Sequence, residues 1–286
     1  MSDTITNAFV QQFDQTIRML AQQKESRLAK ACFNKGSITG ESFTANRLAA
    51  IEDTPEKLIR HADTVWSEAT HSTRVALMRD FYQALPVDRN DEPKVLANPV
   101  GPYTESLIAA WNRRQDGIIY AAARGNSQAK DGSLVALTSG QKIVHGSTGM
   151  TKAKLITAKK LFRKNEIDEN NGEELYITYN SEMLEDLLSD TTLTSADYMA
   201  VQMLQSGSVA GKWMGFTWVP YESLYYAAST YYAIAWAKSA LHIGTGFVEG
   251  KASRRNDKQD TMQVSQAGSF GAVRVEEAGV VEIAFQ

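Results

Sequence analysis

The tightest constraint on what this chain can fold into lies between residue 23 and about residue 80. In KESRLAKACFNKGSITGESFTANRLAAIEDTPEKLIRHADTVWSEATHSTRVALMRDF the apolar residues keep no steady period and charge runs throughout. The best local signals are strand-like: from Thr73 to Phe81, Val75 and Leu77 alternate with Arg74, Ala76 and Met78. A stretch of nearly sixty residues that cannot close its own core is unusual inside a compact domain. It is expected to pack on something else.

The rest of the chain has ample material for a core. At 286 residues, 43% of them hydrophobic and 22% charged, it reads as an ordinary globular protein of one large domain or two small ones. A net charge of −3 gives no global basic field for gripping nucleic acid, although local patches remain possible. Cys32 is the single cysteine, and with only four scattered histidines no familiar zinc spacing exists. The start, MSDTITNAFVQQFDQ, lacks the basic and apolar pattern of a signal peptide, and no run reaches the length of a membrane span. The expected setting is a reducing cytosol.

Periodicity supplies the elements. Ile5, Phe9, Phe13, Ile17 and Leu20 mark an amphipathic helix. Prolines 86, 93, 99 and 102 mark an irregular connection, after which a long helix is expected over 103–124, with Leu107, Trp111, Ile118 and Ala122 on one stripe and Gly125 as its stop. Thr151 starts a second helix with Leu155, Ala158, Leu161 and Phe162 inward. Strand ELYITYN follows from residue 174, and Ser181 opens a short helix with Leu184, Leu187 and Leu188 inward. Thr194 and Asp197 form a capping-box signature for a further helix to about Leu204. Strands are expected at 213–219, at 232–236, and in AVRVEE and VVEIAF. With no βαβ repeat, an α+β architecture fits best.

Motifs for chemistry are weak. GSVAGK at 207–212 suggests a phosphate loop, but its glycines sit one residue too close and Trp213 stands where the Ser/Thr belongs. No G-x-S-x-G exists, His61, His71, His145 and His242 are isolated, and Glu185 and Asp186 lie on a helix surface beside no evident apolar pocket. No catalytic, cofactor-binding or metal-ligating residue is assigned. Two clusters remain. Lys152, Lys154, Lys159, Lys160, Arg163 and Lys164 crowd one helix ahead of the acidic run Glu166, Asp168, Glu169, Glu173 and Glu174, which reads as a solvated face or as a complementary contact between neighbouring copies. Tyr225, Tyr226, Tyr231 and Tyr232 suit either an interface or a packed core.

Three stretches, taken in order, resemble the major capsid proteins of tailed bacteriophages, whose shell fold is also seen in encapsulin compartments. ESLIAAWNRRQDGIIYAAARGNS at 105–127 is similar to that family's spine helix, MTKAKLITAKKLFRKNEID at 150–168 to the helix after it, and ELYITYNSEMLEDLLSDTTLTSADY at 174–198, continuing into GKWMGFTWVP, to the strand, paired helices and Gly-bounded strand of the axial domain. The resemblance implies an N-terminal arm (1–22), an extended β-hairpin loop (23–82) lying across the next subunit, a peripheral domain (83–170) with the spine helix, an axial domain (171–240) and returning C-terminal strands (241–286). It implies that Phe43, Leu48, Ile51 and Trp66 become buried only on assembly.

The function so implied is structural: pentamers and hexamers of one chain form an icosahedral head around double-stranded DNA, contacted non-specifically. Partners would be other copies, a separate scaffolding protein, a portal and decoration proteins, with no membrane. The product is a virion capsid assembled in the bacterial cytoplasm. Some members of the family join their subunits by a Lys–Asn isopeptide bond, and no pattern here places such a pair. Two rival readings remain: an encapsulin-like compartment with a cargo-docking groove, and a cytosolic α+β enzyme with a pocket of convergent titratable groups.

Overall fold

The longest element is α1 (Val100–Arg124), and it begins three residues before the expected start. Pro102 explains the difference, because its missing N–H falls in the first turn, where no intrahelical partner exists. The computed structural model describes residues 22–49, 51, 56, 60, 63, 66, 68–87, 100–189 and 212–286. The expected helix over 5–20, the capping box at Thr194 and Asp197, and the Gly207–Gly211 turn lie outside the described residues.

Two compact units divide the chain. The first takes the described residues of Met1–Glu25, Asp80–Arg114 and Phe247–Ser269. In it, the outer parts of two long strands, β13 (Leu241–Arg255) and β14 (Thr261–Arg274), lie side by side with β4 (Arg79–Val87) on the other edge of β14. Phe81 meets Trp111 of α1 edge-on at 6.3 Å between ring centroids, and the Arg114 guanidinium lies 5.1 Å above the Phe81 ring. Gly268 allows this packing, since a Cβ there would lie 2.4 Å from the Phe247 carbonyl oxygen and 2.9 Å from the Trp111 ring.

The second unit holds Ser26–Arg79, Gln115–Gly246 and Phe270–Gln286. Its main sheet has the order β7 (Lys142–Ile143), β15 (Val280–Phe285), β12 (Thr230–Ala237), β8 (Leu175–Tyr179), β10 (Phe216–Pro220) and β9 (Lys212–Trp213), with β11 (Tyr225–Ala227) paired to β12. The strands β12 and β15 are almost wholly buried, which fits the apolar run YYAIAWA and the run VVEIAF, whose one charge, Glu282, is paired with Arg124. Two helices cover this sheet: α2 (Lys152–Lys164) buries Leu155, Ala158 and Phe162, and α3 (Ser181–Ser189) buries Met183 and Leu187. Leu184 and Leu188, expected inward, are only half-buried.

The described residues of 23–80 are less dependent on an outside partner than their pattern suggests. Leu28, Ala31 and Cys32 join the main core. The strands β2 (Ser42–Leu48) and β3 (His71–Leu77) pair antiparallel from Ser42↔Leu77 to Leu48↔His71, and β3 continues through β5 (Ser127–Ala129) to β6 (Leu134–Val135). Phe43, expected to wait for assembly, is 7% exposed and packs with Ala45, Ala76, Val273 and Val275. Alternation along β2 turns Phe43 and Ala45 to one face, and β14 covers that face.

Asp116 explains how the start of this segment is held. It is wholly buried, and its carboxylate accepts hydrogen bonds from Ser26 Oγ at 2.6 Å, Arg27 N at 3.0 Å and Leu28 N at 3.1 Å. Asp116→Asn replaces one acceptor oxygen with an N–H2 group facing donors, so about 1–3 kcal/mol of stability is expected to be lost. Hydrogen exchange at the Arg27 and Leu28 amides should accelerate first, and unchanged protection there would contradict this role.

Candidate assembly surface

The β2–β3 pair is held by an ion-pair cluster at Arg47 and Arg74, and exposed apolar residues follow directly after Arg47. Glu277 accepts from Arg47 Nη1 at 3.0 Å and from Arg74 Nη2 at 2.9 Å, and Glu276 lies 3.5 Å from Arg47. Arg74 and Glu277 are largely shielded from water, so salt screens this pairing less than a surface bridge, and loss of either partner leaves a poorly solvated charge. Beyond that anchor Leu48, Ile51 and Trp66 stand in solvent, Trp66 at 87% exposure. Leu77 and Leu134 add exposed apolar area on β3 and β6. Exposed apolar side chains of this size, at both ends of the β2–β3 pair, are candidates for burial against another surface.

The aromatic stretch 213–221 serves the interior. Met214 and Gly215 both take positive φ, 53° and 78°, which forms the tight turn joining β9 to β10. Phe216 is fully buried, and its ring meets Phe162 at 5.9 Å. Trp218 donates from Nε1 to the Trp213 carbonyl at 3.2 Å. Residues 212–220 therefore form a β-hairpin closed on the core, with no ligand required.

The tyrosine cluster packs on itself in pairs and keeps one edge in solvent. Tyr225 faces Tyr232 at 5.7 Å and Tyr226 faces Tyr231 at 4.6 Å across the β11–β12 ladder. The Arg124 guanidinium lies 3.8 Å from the Tyr225 ring centroid while Arg124 Nε bonds Glu282 at 2.8 Å, so one side of the cluster is fixed. Tyr225 and Tyr226 keep their other faces exposed.

Three titratable groups of the second unit are held within its own structure. Lys154, from the basic helix, is buried and donates to the carbonyls of Thr148 and Gly149, both at 2.8 Å. Asp186 accepts from Met150 N at 2.7 Å, whereas Glu185 is exposed. His242 stacks on Phe33 of β1 (Phe33–Ser37) at 4.7 Å, and its Nδ1 is buried without a partner among the described residues. Burial, and then Lys35 nearby, holds the His242 imidazole below its ordinary value. The unfolded chain therefore binds the proton more readily, and stability is expected to fall as pH drops below about 6.5. His242→Phe keeps the ring contact and should flatten that part of the pH dependence of the urea midpoint. An unchanged profile would contradict the assignment.

Among the described residues no group of His, Cys, Asp and Glu is placed to hold a metal ion, and no helix is long and apolar enough to cross a membrane. Three polar groups wholly or partly withdrawn from water were not legible as such in the sequence: Asp116, Glu277 with its two arginines, and Arg274. The available signal for Arg274 is a lone cation inside the apolar run AVRV.

A family model described as phage capsid protein matches residues 5–286, nearly the whole chain. The chain belongs to the phage capsid protein family. It is a major capsid protein of the tailed-phage head shell, and its place is in the shell of the virion. Solved structures agree in fold. The capsid protein is similar to a chain of Mycobacterium phage Che8 at 17% identity and a TM-score of 0.73, over 97% of both chains. It is similar to one from the capsid of Ralstonia phage GP4 at 10% identity and 0.72, over 97% and 95%. A third is the head structure of Helicobacter pylori bacteriophage KHP40, at 10% and 0.73 over 98% and 96%. No curated relative matches the chain in sequence.

Proposed function

We propose that copies of this capsid protein close into pentamers and hexamers of an icosahedral head around double-stranded DNA. The observation that carries the reading is the exposure of Leu48, Ile51 and Trp66, on a chain that matches a capsid family almost throughout. A subunit working alone gains nothing from presenting Leu48, Ile51 and Trp66 to water. Residues 23–82 act as an extended hairpin laid across the next subunit, after an arm at 1–22. Residues 83–170 form the peripheral domain, 171–240 the axial domain, and 241–286 the strands that return to both.

The protein works by assembly and not by catalysis. DNA is held without sequence readout, in keeping with a net charge of −3 that supplies no overall grip. A separate scaffolding protein and a portal guide closure in the host cytoplasm, and decoration proteins bind the outside. The test is co-expression with the neighbouring phage genes, followed by purification of particles and nuclease treatment. Nuclease-resistant DNA inside closed shells is the expected result. Shells that hold a protein cargo and no DNA would move the reading to a compartment.

A further inference from the structure

Two charged patches in the second unit are left without partners, and they have opposite sign. On α2, Lys154 is spent on two carbonyls and Lys159 lies 5.4 Å above the Phe216 ring. Lys160, Arg163 and Lys164 stay exposed at the helix's C-terminal end, on one side of it by their spacing of three and four, and form no ion pair among the described residues. The acids that follow do not neutralise them. Asp168 accepts from the Asn170 and Asn171 amides, and Glu174 is paired with Lys238 at 2.9 Å.

The unpaired acids are on α3. Glu182 and Glu185 are exposed, three apart, and without a described cation partner. Beside them Glu222 accepts from Ser181 N and Oγ at 3.2 and 2.8 Å, leaving its charge at the rim of the same surface. The Asp186–Met150 contact places α3 next to the start of α2. At about 1.5 Å per residue, the cations 160–164 begin roughly 12 Å farther along that helix. The two patches are therefore separated within one subunit.

A dipole argument covers one charge at each helix end and does not require three cations together. Closed rings of identical subunits need two different complementary patches per copy. We infer that around each pentamer and hexamer Lys160, Arg163 and Lys164 of one copy dock against Glu182 and Glu185 of the next. This rests on the shell reading above and names the contact that closes its rings.

The test is charge exchange on the full chain, read by sedimentation and negative-stain microscopy. Circular dichroism melts come first, to confirm that each variant folds. K160E/R163E/K164E alone and E182K/E185K alone should each lower the yield of closed shells at least tenfold. A chain carrying all five changes should restore it, and so should a mixture of the two defective chains, at least in the six-membered rings, where they can alternate. Assembly of the parent should slow as salt rises from 50 to 500 mM. If the parent forms shells and either set of reversals leaves the yield unchanged, or the five-change chain folds and stays defective, the contact is wrong. A parent that never forms shells overturns the shell reading and this contact with it.

Discussion

Trp66→Asp is expected to abolish closed shells while leaving the subunit folded. With 87% of its surface in water Trp66 contributes almost nothing to the isolated chain. Surface substitutions of that kind shift stability by no more than about 0.5 kcal/mol, or roughly 1–2 °C in a chain of this size. At an interface the same ring is an anchor, and its removal costs at least about 2 kcal/mol per contact. That raises the concentration needed for assembly roughly 30-fold, and a buried, unpaired carboxylate adds to the loss. Gel filtration with thermal melts separates the two effects. Normal shells from this variant would remove Trp66 from the interface. Phe43→Asp is no substitute, because Phe43 sits in the subunit's own second cluster and its loss would unfold that region first.

The second large effect is on folding. Arg274 is fully buried, and it bonds the carbonyls that end α1, Ala123 at 2.8 Å and Gly125 at 2.6 Å, through Nη1. Its Nη2 donates to Val135 at 3.0 Å, while Nε has no partner among the described residues. The side chain thus acts as the C-cap of the longest helix, where the backbone dipole also favours a cation. Arg274→Leu fills a similar space and leaves three carbonyls unpaired. Hydrogen bonds to a charged donor are worth about 1.5–3 kcal/mol each, and relief of the buried guanidinium's desolvation offsets part of their sum. The expected net loss is about 2–4 kcal/mol, a fall of roughly 4–16 °C in Tm. A variant melting within a degree or so of the parent would show that water replaces the cap without cost.

The sequence was most legible where one face of an element is buried by its own neighbours. The spine helix and the inward residues Leu155, Ala158 and Phe162 follow from periodicity, and the strands at 175–179 and 280–285 from short apolar runs, because a single core dictates their pattern. Legibility failed where partners are distant in sequence. Phe43 is covered by Val273 and Val275, more than two hundred residues later, and no local pattern could reveal that cover. Asp116 and Arg274 read as ordinary helix and strand charges until the fold brings Ser26, Arg27 and Leu28 to one and three carbonyls to the other. The basic helix was visible as a cluster, but only the fold separates Lys154, which is spent within the subunit, from Lys160, Arg163 and Lys164, which are not.

The central claim is that this chain works as one of many copies in a closed shell. The most direct measurement is the mass and shape of the purified protein, by light scattering with negative-stain microscopy, with and without co-expressed neighbouring phage genes. The account predicts closed particles tens of nanometres across in at least one of these conditions. A uniform small species in every condition would contradict it.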